Sequence, residues 1–196
     1  LLDLGGGTIA ALGYAADDCA VNVAAASALG GGVWSGFDAS QMWRVDPGSP
    51  STLMGPGGVA PSPGCDIARF SVGAEDQLAV LCSDGSLATS ADNGANWVRS
   101  AETAGIPDDV SIGPDSIYVS SVSVPGCDGV NVAAFAFNTL EAGATACVSG
   151  AAGASGAAVG AVAPGQTALS NAHEGALWLW AGDALVRSND GGGTWG

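Results

Sequence analysis

The sequence predicts an all-β protein, a β-propeller of four-stranded antiparallel blades, with about four blades present as part of a larger ring. Three observations carry this prediction: a repeated corner motif, short strand patterns between turn signals, and a composition suited to a packed core. The chain has 196 residues, 47% of them hydrophobic and only 12% charged. This composition is too apolar for a disordered chain. The sequence contains no uninterrupted apolar stretch of about 18 residues, so no membrane helix is predicted.

The corner motif has the pattern Ser-x-Asp-x-Gly-x-x-Trp and occurs twice in full. The first copy comprises Ser90, Asp92, Gly94 and Trp97, and the second comprises Ser188, Asp190, Gly192 and Trp195. Their aspartates are 98 residues apart, which is two repeats of 49. A fixed spacing of this size indicates a repeat architecture in which each repeat is one supersecondary unit.

Two degenerate copies fit the same repeat. A spacing of 49 residues predicts a copy that consists of Thr139, Glu141 and Gly143. Upstream, Asp38 and Trp43 keep the distance of five residues between the acidic residue and the tryptophan. We therefore expect corners at Asp38, Asp92, Glu141 and Asp190 to occupy equivalent places in successive sheets.

Each residue of the motif has a structural task. The aspartate can accept hydrogen bonds from backbone N–H groups just ahead of it, which closes a turn. The glycine supplies a positive φ at the tight corner, and the tryptophan packs its large face between layers. The motif therefore predicts a β-hairpin corner with an apolar anchor, and nothing in it performs chemistry.

Strand signals surround these corners. In the second repeat, strands are expected at 67–72, 77–82, 87–90 and 97–100, a four-stranded meander. The predicted blades are 7–46, 65–100, 109–149 and 166–196. Loops rich in Pro, Gly and Ala are expected to join them at 46–64, 100–109 and 150–166. The Ala-rich runs 20–28 and 151–162 are the weakest part of this assignment, because alanine intrinsically favours helix.

The motif and its blade pattern resemble those of the Asp-box, or BNR-type, repeat propellers. Sialidases, xyloglucan-active glycosidases, the sortilin lumenal domain and a photosystem assembly factor share this blade. The resemblance covers nearly the whole chain as blades and is specific at the two complete motifs. It implies that the corner residues are structural and lie at the rim, away from any active site. Members usually have six or more blades, which implies that this chain is part of a ring.

Five cysteines indicate disulfides rather than a metal site. They are Cys19, Cys65, Cys82, Cys127 and Cys147. None has Cys-x-x-Cys spacing and the single His173 has no cysteine nearby, so neither a metal nor a cofactor is expected. Cys65 and Cys82 lie at the same end of a predicted hairpin and are the first expected pair, Cys127 and Cys147 are the second, and Cys19 is expected to be free or paired outside this segment.

The disulfides and the net charge limit the compartment in which the protein is expected and the classes of partner that it can bind. Disulfides persist in oxidising compartments, which predicts a secreted or cell-surface protein, either free or lipid-anchored through sequence outside this chain. The chain starts at Leu1, which fits a mature or trimmed product. With 19 acidic residues, four arginines and no lysine, the net charge of −15 excludes nucleic acid and argues against anionic lipid. A protein or glycan partner is expected, with further blades from missing sequence or from another chain.

The carboxylates and the arginines are the candidate catalytic residues of this sequence. A sialidase needs three converging arginines and an Arg-Ile-Pro motif, but the motif is absent and only Arg69 lies on a predicted inner strand. Asp66, Asp108 and Asp109 lie where inner strands begin and form a candidate binding face, although turn capping accounts for them more simply. His173 fits a solvated loop.

The alternating tryptophans of the last repeat carry a separate prediction. Trp178 and Trp180 alternate with Leu177 and Leu179, so both faces of this strand are apolar. That pattern predicts a strand buried between two blades, with stacking on a sugar as the alternative.

Two functions of different class follow. The first is an extracytoplasmic binding or scaffolding module without catalytic activity of its own. The second is a glycan-active hydrolase whose catalytic blades are partly missing. A converging pair of inner-face carboxylates about 5–10 Å apart would favour the hydrolase, and its absence would favour the scaffold.

Overall fold

The structure is a computed structural model that describes residues 2–3, 9–14, 21–27, 35–36, 43–46, 48–73, 76–150, 156–172 and 176–196. Over these residues the chain is all-β, and none of them belongs to a helix that could span a bilayer. The chain divides into two compact units, Leu1–Ala60 and Pro61–Gly196. Cys19, Asp38 and His173, which were named in the sequence analysis, lie outside the described residues.

The first unit contains two antiparallel sheets. Sheet 1 is formed by β1 (Leu2–Asp3), β2 (Ile9–Tyr14), β3 (Val21–Ser27) and β4 (Ser35–Gly36). Sheet 2 is formed by β5 (Arg44–Asp46), β6 (Ser49–Gly55) and β7 (Gly58–Val59). The alanine-rich segment of β3 is extended, because pairing with β2 along its length outweighs the helical preference of alanine.

The prediction that residues 46–64 form a loop is wrong for most of that segment. The strand that begins at Arg44 pairs with β6 rather than with β4. Buried Leu53 anchors β6, and the ring of Trp43 lies so close to Gly55 that a Cβ there would meet it at 2.6 Å. The glycine- and proline-rich turn that suggested a loop instead closes a short hairpin, with a positive φ at Gly58.

The second unit contains three antiparallel sheets. Sheet 3 comprises β8 (Ile67–Val72), β9 (Leu78–Cys82), β10 (Ser86–Ser90) and β11 (Val98–Glu102). Sheet 4 comprises β12 (Ile106–Ile112), β13 (Ser116–Val122), β14 (Val130–Ala136) and β15 (Ala142–Val148). Sheet 5 comprises β16 (Thr167–Ala172), β17 (Ala176–Ala181) and β18 (Ala184–Ser188). Each strand pairs with its neighbour in sequence, which makes every one of these sheets a meander.

The three sheets of the second unit stack face to face. One apolar cluster joins Leu81 and Leu87 of sheet 3 to Ile117 of sheet 4. A second cluster joins Tyr118 of sheet 4 to Leu179 of sheet 5. Successive residues of β13 thus point to opposite neighbours, as the alternation of a strand between two layers requires. Meanders stacked in this way are propeller blades, and the predicted fold class, a partial β-propeller, is confirmed.

The first strands of successive sheets are also joined by hydrogen bonds. The hydroxyl of Ser71 on β8 accepts from the N–H of Ile112 at 3.1 Å. One sheet further on, the hydroxyl of Ser111 accepts from the N–H of Asn171 at 2.9 Å. These bonds satisfy backbone donors that no strand within the same sheet would reach, and they place β8, β12 and β16 side by side.

Candidate binding face

The two complete corner motifs are closed by the same hydrogen bonds. The hydroxyl of Ser90 donates to Asp92 at 2.7 Å and accepts from the N–H of Gly94 at 2.8 Å. Asp92 also accepts from the N–H of Asn96 at 2.9 Å. In the second copy the corresponding bonds are Ser188 to Asp190 at 2.8 Å, Gly192 to Ser188 at 2.8 Å and Thr194 to Asp190 at 2.9 Å.

The glycine and the tryptophan complete each corner in different ways. Gly94 and Gly192 have φ values of 80° and 92°, which side chains rarely adopt. The indole N–H of Trp97 donates to the carbonyl of Pro61 at 2.9 Å, whereas that of Trp195 donates to Gly192 at 3.0 Å. The carboxylate bonds are therefore the same in both motifs, whereas the tryptophan of the first motif bonds to a distant residue and that of the second bonds within its own motif.

The third corner has the same place in its sheet but another geometry. Glu141 lies between β14 and β15, as Asp92 lies between β10 and β11. Its N–H makes a long bond of 3.4 Å to the hydroxyl of Thr139, and the positive φ belongs to Leu140. Gly143, the expected corner glycine, lies inside β15.

The hydrogen bonds at the last corner lower the pKa of Asp190 from 3.8 to about 2, chiefly through the N–H of Thr194 and then the hydroxyl of Ser188. A carboxyl whose pKa is lower in the folded state stabilises the fold above its unfolded pKa and ceases to do so as the pH falls towards its folded pKa. The stabilisation from Asp190 is therefore present above about pH 4 and is lost as the pH falls towards about 2.

We expect Asp190→Asn to remove this pH dependence. The wild type should exceed the variant in urea midpoint at neutral pH, and the two midpoints should converge between about pH 4 and about pH 2. Asp92→Asn serves as a parallel case, because the side chains of Asn96 and Ser90 lower the pKa of Asp92 as well. A difference between wild type and Asp190→Asn that stays constant with pH would contradict the assignment.

Among the described residues, the four cysteines form two disulfides, and they are the two pairs expected from the sequence. Cys65 and Cys82 are joined with a Cα–Cα distance of 5.7 Å, and Cys127 and Cys147 with 5.6 Å. The first closes the hairpin of β8 and β9, and the second fixes the loop before β14 to the outer strand β15.

A polar cluster around one arginine, Arg99, lies beside the first disulfide and was not predicted from the sequence. The guanidinium of Arg99 forms an ion pair with Asp84 at 3.3 Å and donates to the hydroxyl of Ser86 at 2.6 Å. It also donates to the carbonyl of Gly64 at 2.9 Å, one residue before Cys65. Arg99 therefore holds the β9–β10 turn against the segment that enters sheet 3, and only its placement on an outer strand was predictable.

The candidate acidic face is not a cluster of free carboxylates. Asp108 is buried and accepts from the N–H of Thr167 at 2.9 Å, from its hydroxyl at 2.7 Å and from the N–H of Gly165. Asp109 accepts from the N–H of Leu169 at 2.7 Å. Exposed Asp66 lies at the entrance to β8. Two of the three predicted residues thus join β12 to β16.

The electrostatics of Asp109 follow from its position. Burial raises the pKa of its carboxyl, and the N–H groups of Leu169 and Val110 and then the charge of Arg69 oppose that rise. Arg69 itself is exposed on β8 and donates to the carbonyl of Ala68 at 2.8 Å. Arg69 is therefore an exposed cation near the carboxylate of Asp109, and that carboxylate already accepts a hydrogen bond from a backbone N–H.

The two alternating tryptophans differ in their surroundings. Trp178 is half-buried, with the guanidinium of Arg187 5.4 Å from the centre of its ring. Trp180 is 52% exposed, and its indole N–H donates to the carbonyl of Gly182 at 2.7 Å. The prediction that both tryptophans are buried is wrong for Trp180, which borders an open cavity of about 390 Å³ with Gln166 and Asp183.

Comparisons with known proteins return solved structures of low sequence identity. No family model matches the chain, and no curated protein matches it. A solved structure of YCF48 bound to D1 peptide is 15% identical with a TM-score of 0.49, and the match covers 88% of this chain and 59% of that one. YCF48 from Cyanidioschyzon merolae is 14% identical with a TM-score of 0.40, covering 99% and 57%. The chain therefore spans less than three fifths of the length of these structures.

Among the residues that the structure describes, no three His, Cys, Asp or Glu side chains are grouped to hold a metal ion.

Proposed function

We propose that this chain is an extracytoplasmic binding or scaffolding module without catalytic activity of its own. The observation that carries the proposal is that the carboxylates of Asp108 and Asp109 are occupied by hydrogen bonds to a neighbouring strand. A general acid or base needs a carboxylate oxygen directed at the substrate, and a glycosidase needs two such groups. The oxygens of Asp108 accept from three donors at the start of β16, and Asp109 accepts from Leu169. These carboxylates connect strands, which supports a structural role.

The extracytoplasmic part of the proposal rests on the disulfides. Structural disulfides form and persist in oxidising compartments and are rare where thiols are kept reduced. Two are formed within the second unit, one in sheet 3 and one in sheet 4. A secreted or cell-surface location accounts for both.

Charge favours a cationic protein segment as the partner. The chain carries a net charge of −15, and its few cations contact other groups of the chain, as Arg99 does with Asp84 and Arg187 with the ring of Trp178. A surface with this excess of carboxylates attracts positively charged partners and repels anionic ones, and the attraction weakens with salt. The Asp-box identity of the corners is part of the same proposal, with the motif residues as the structural frame of the blades.

The test combines a catalytic assay with a binding assay. We expect no release of sugar from sialosides or β-glucans by the wild type, and Asp108→Asn should lower thermal stability without changing that result. Peptides of equal length with cationic, neutral and anionic side chains should bind in that order, and the affinity for the cationic peptide should fall as salt rises. If the wild type releases sugar and Asp66→Asn or Asp108→Asn abolishes that activity, the protein is a hydrolase and the scaffold proposal is wrong. If all three peptides bind equally, the proposal of a cationic partner is wrong.

A further inference from the structure

The guanidinium of Arg99 lies next to a sulfur atom of the first disulfide. Its Nη2 is 4.0 Å from Sγ of Cys82 and donates to the hydroxyl of Ser86 at 2.6 Å. Its Nη1 donates to the carbonyl of Gly64 at 2.9 Å. These bonds hold the cation beside the sulfur before any negative charge develops there, so the guanidinium does not have to move in order to stabilise a Cys82 thiolate.

The two cysteines of this disulfide differ in accessibility. Cys65 is half-buried just before β8, whereas Cys82 is 1% exposed at the end of β9. Thiol–disulfide exchange requires a thiolate to reach one of the two sulfurs, and the other sulfur leaves with the bonding electrons. An incoming thiolate therefore reaches Cys65, and Cys82 is the leaving group.

A positive charge beside the leaving sulfur favours this exchange. A disulfide breaks faster when the thiolate that departs is better stabilised, and an arginine side chain stabilises a thiolate. Arg99 also forms an ion pair with Asp84 at 3.3 Å, and this carboxylate offsets part of the positive charge. Removal of the arginine and removal of the aspartate should therefore change the rate of exchange in opposite directions.

The second disulfide provides a matched comparison in the same chain. Cys65 and Cys127 are each followed directly by an aspartate, so both disulfides have a carboxylate next to them in the sequence. Among the residues that the structure describes, no arginine contacts Cys127 or Cys147. The two disulfides thus differ in the presence of a neighbouring cation.

Opening the first disulfide leaves the surrounding sheet connected by other bonds. Ile67 and Cys82 are partners in the ladder between β8 and β9. Next to them, the N–H of Ser83 donates to the carbonyl of Asp66 at 2.8 Å. Exchange can therefore take place in the folded protein, and the Cys82 thiolate stays close enough to Cys65 to reverse it.

We propose that the disulfide between Cys65 and Cys82 is a thiol–disulfide exchange site, at which an external thiolate attacks Sγ of Cys65 and Arg99 stabilises the departing Cys82 thiolate. The attack forms a mixed disulfide on Cys65 and breaks the original S–S bond, whose electron pair stays on Sγ of Cys82. A monothiol stops at this mixed disulfide. The second thiolate of a dithiol attacks the dithiol's own sulfur in the mixed disulfide, so the dithiol is oxidised to a disulfide and Cys65 leaves as a thiolate that takes a proton from water. Sheet 3 can thus be joined covalently and reversibly to a molecule that carries a thiol.

Exchange with reduced glutathione, read by mass spectrometry, tests the proposal. Samples are quenched with N-ethylmaleimide in denaturant, and the early product of the wild type should carry glutathione on Cys65 and N-ethylmaleimide on Cys82. We expect Arg99→Gln to slow exchange at this disulfide by about threefold to tenfold, and Arg99→Lys, which keeps the charge, to recover most of the rate. Exchange at the disulfide of Cys127 and Cys147 should keep its wild-type rate in both variants.

The direction of the change distinguishes charge stabilisation from a structural role of Arg99. If this residue only holds the β9–β10 turn, Arg99→Gln loosens the turn, exposes the disulfide and accelerates exchange, which would overturn the proposal. Asp84→Asn, which removes the opposing charge, should raise the rate, and an unchanged or lower rate would also contradict the proposal. The position of glutathione in the wild type is an independent readout that no variant can disturb, and glutathione found first on Cys82 would show that the assigned direction of attack is wrong.

Discussion

Replacing Leu179 with alanine is expected to lower the free energy of unfolding of the second unit by about 2–5 kcal/mol. The side chain is 0% exposed and lies in the apolar cluster between sheets 4 and 5. Its removal loses the transfer free energy of the deleted methyl groups and leaves a cavity between two layers that can close only in part. Urea unfolding followed by tryptophan fluorescence measures the loss, since half-buried Trp195 packs against the same cluster.

Val72→Ala provides the control for this prediction. Val72 ends β8 and is 49% exposed, so its truncation should change the free energy of unfolding by no more than about 0.5 kcal/mol. Equal losses for the buried and the exposed position would show that the contact between sheets 4 and 5 contributes little to stability.

Replacing Cys65 and Cys82 together with alanine is expected to cost about 3 kcal/mol. The disulfide closes a loop with a sequence separation of 17 residues, and its loss returns that conformational freedom to the unfolded chain. The cost appears as a lower urea midpoint under non-reducing conditions. The double variant of Cys127 and Cys147 is a matched comparison, because its separation of 20 residues predicts nearly the same loss.

A reducing agent distinguishes the disulfide from simple repacking. Dithiothreitol should lower the midpoint of the wild type towards that of a variant without either pair, and it should leave the midpoint of that variant unchanged. Non-reducing peptide mapping identifies the linked cysteines directly. A link between Cys82 and Cys127 would join sheets 3 and 4 and would contradict the described pairing.

The sequence was most informative where the interactions are local. The bonds of the corner motif join residues two and four positions apart, so Ser90, Asp92 and Gly94 could be assigned from their spacing. The disulfide partners followed from the geometry of a hairpin and of neighbouring strands for the same reason. The third corner deviates because glutamate carries its carboxylate one bond further from the backbone than aspartate does, and Leu140 has taken the left-handed position.

Features that depend on distant chain segments were not predictable. Asp108 contacts residues 57 and 59 positions away, so its role in joining β12 to β16 emerges only when the sheets are stacked. The exposure of Trp180 likewise depends on which layer covers which face, and alternation along β17 cannot distinguish a covered face from an uncovered one. The strands of sheet 2 were hidden because they are short and are separated by turns rich in proline and glycine, while a single buried leucine anchors β6.

The pairing of each strand with its neighbour in sequence has a consequence for how the chain reaches its fold. Each described sheet can form from a contiguous stretch of a few tens of residues, so no strand has to wait for a distant partner, and closing short loops costs little entropy. All-β proteins usually fold slowly because their pairings are remote in sequence, but here only the stacking of one sheet on the next is remote. Within the second unit the ribosome can therefore release one finished layer at a time, with sheet 4 docking on sheet 3 and sheet 5 docking on sheet 4.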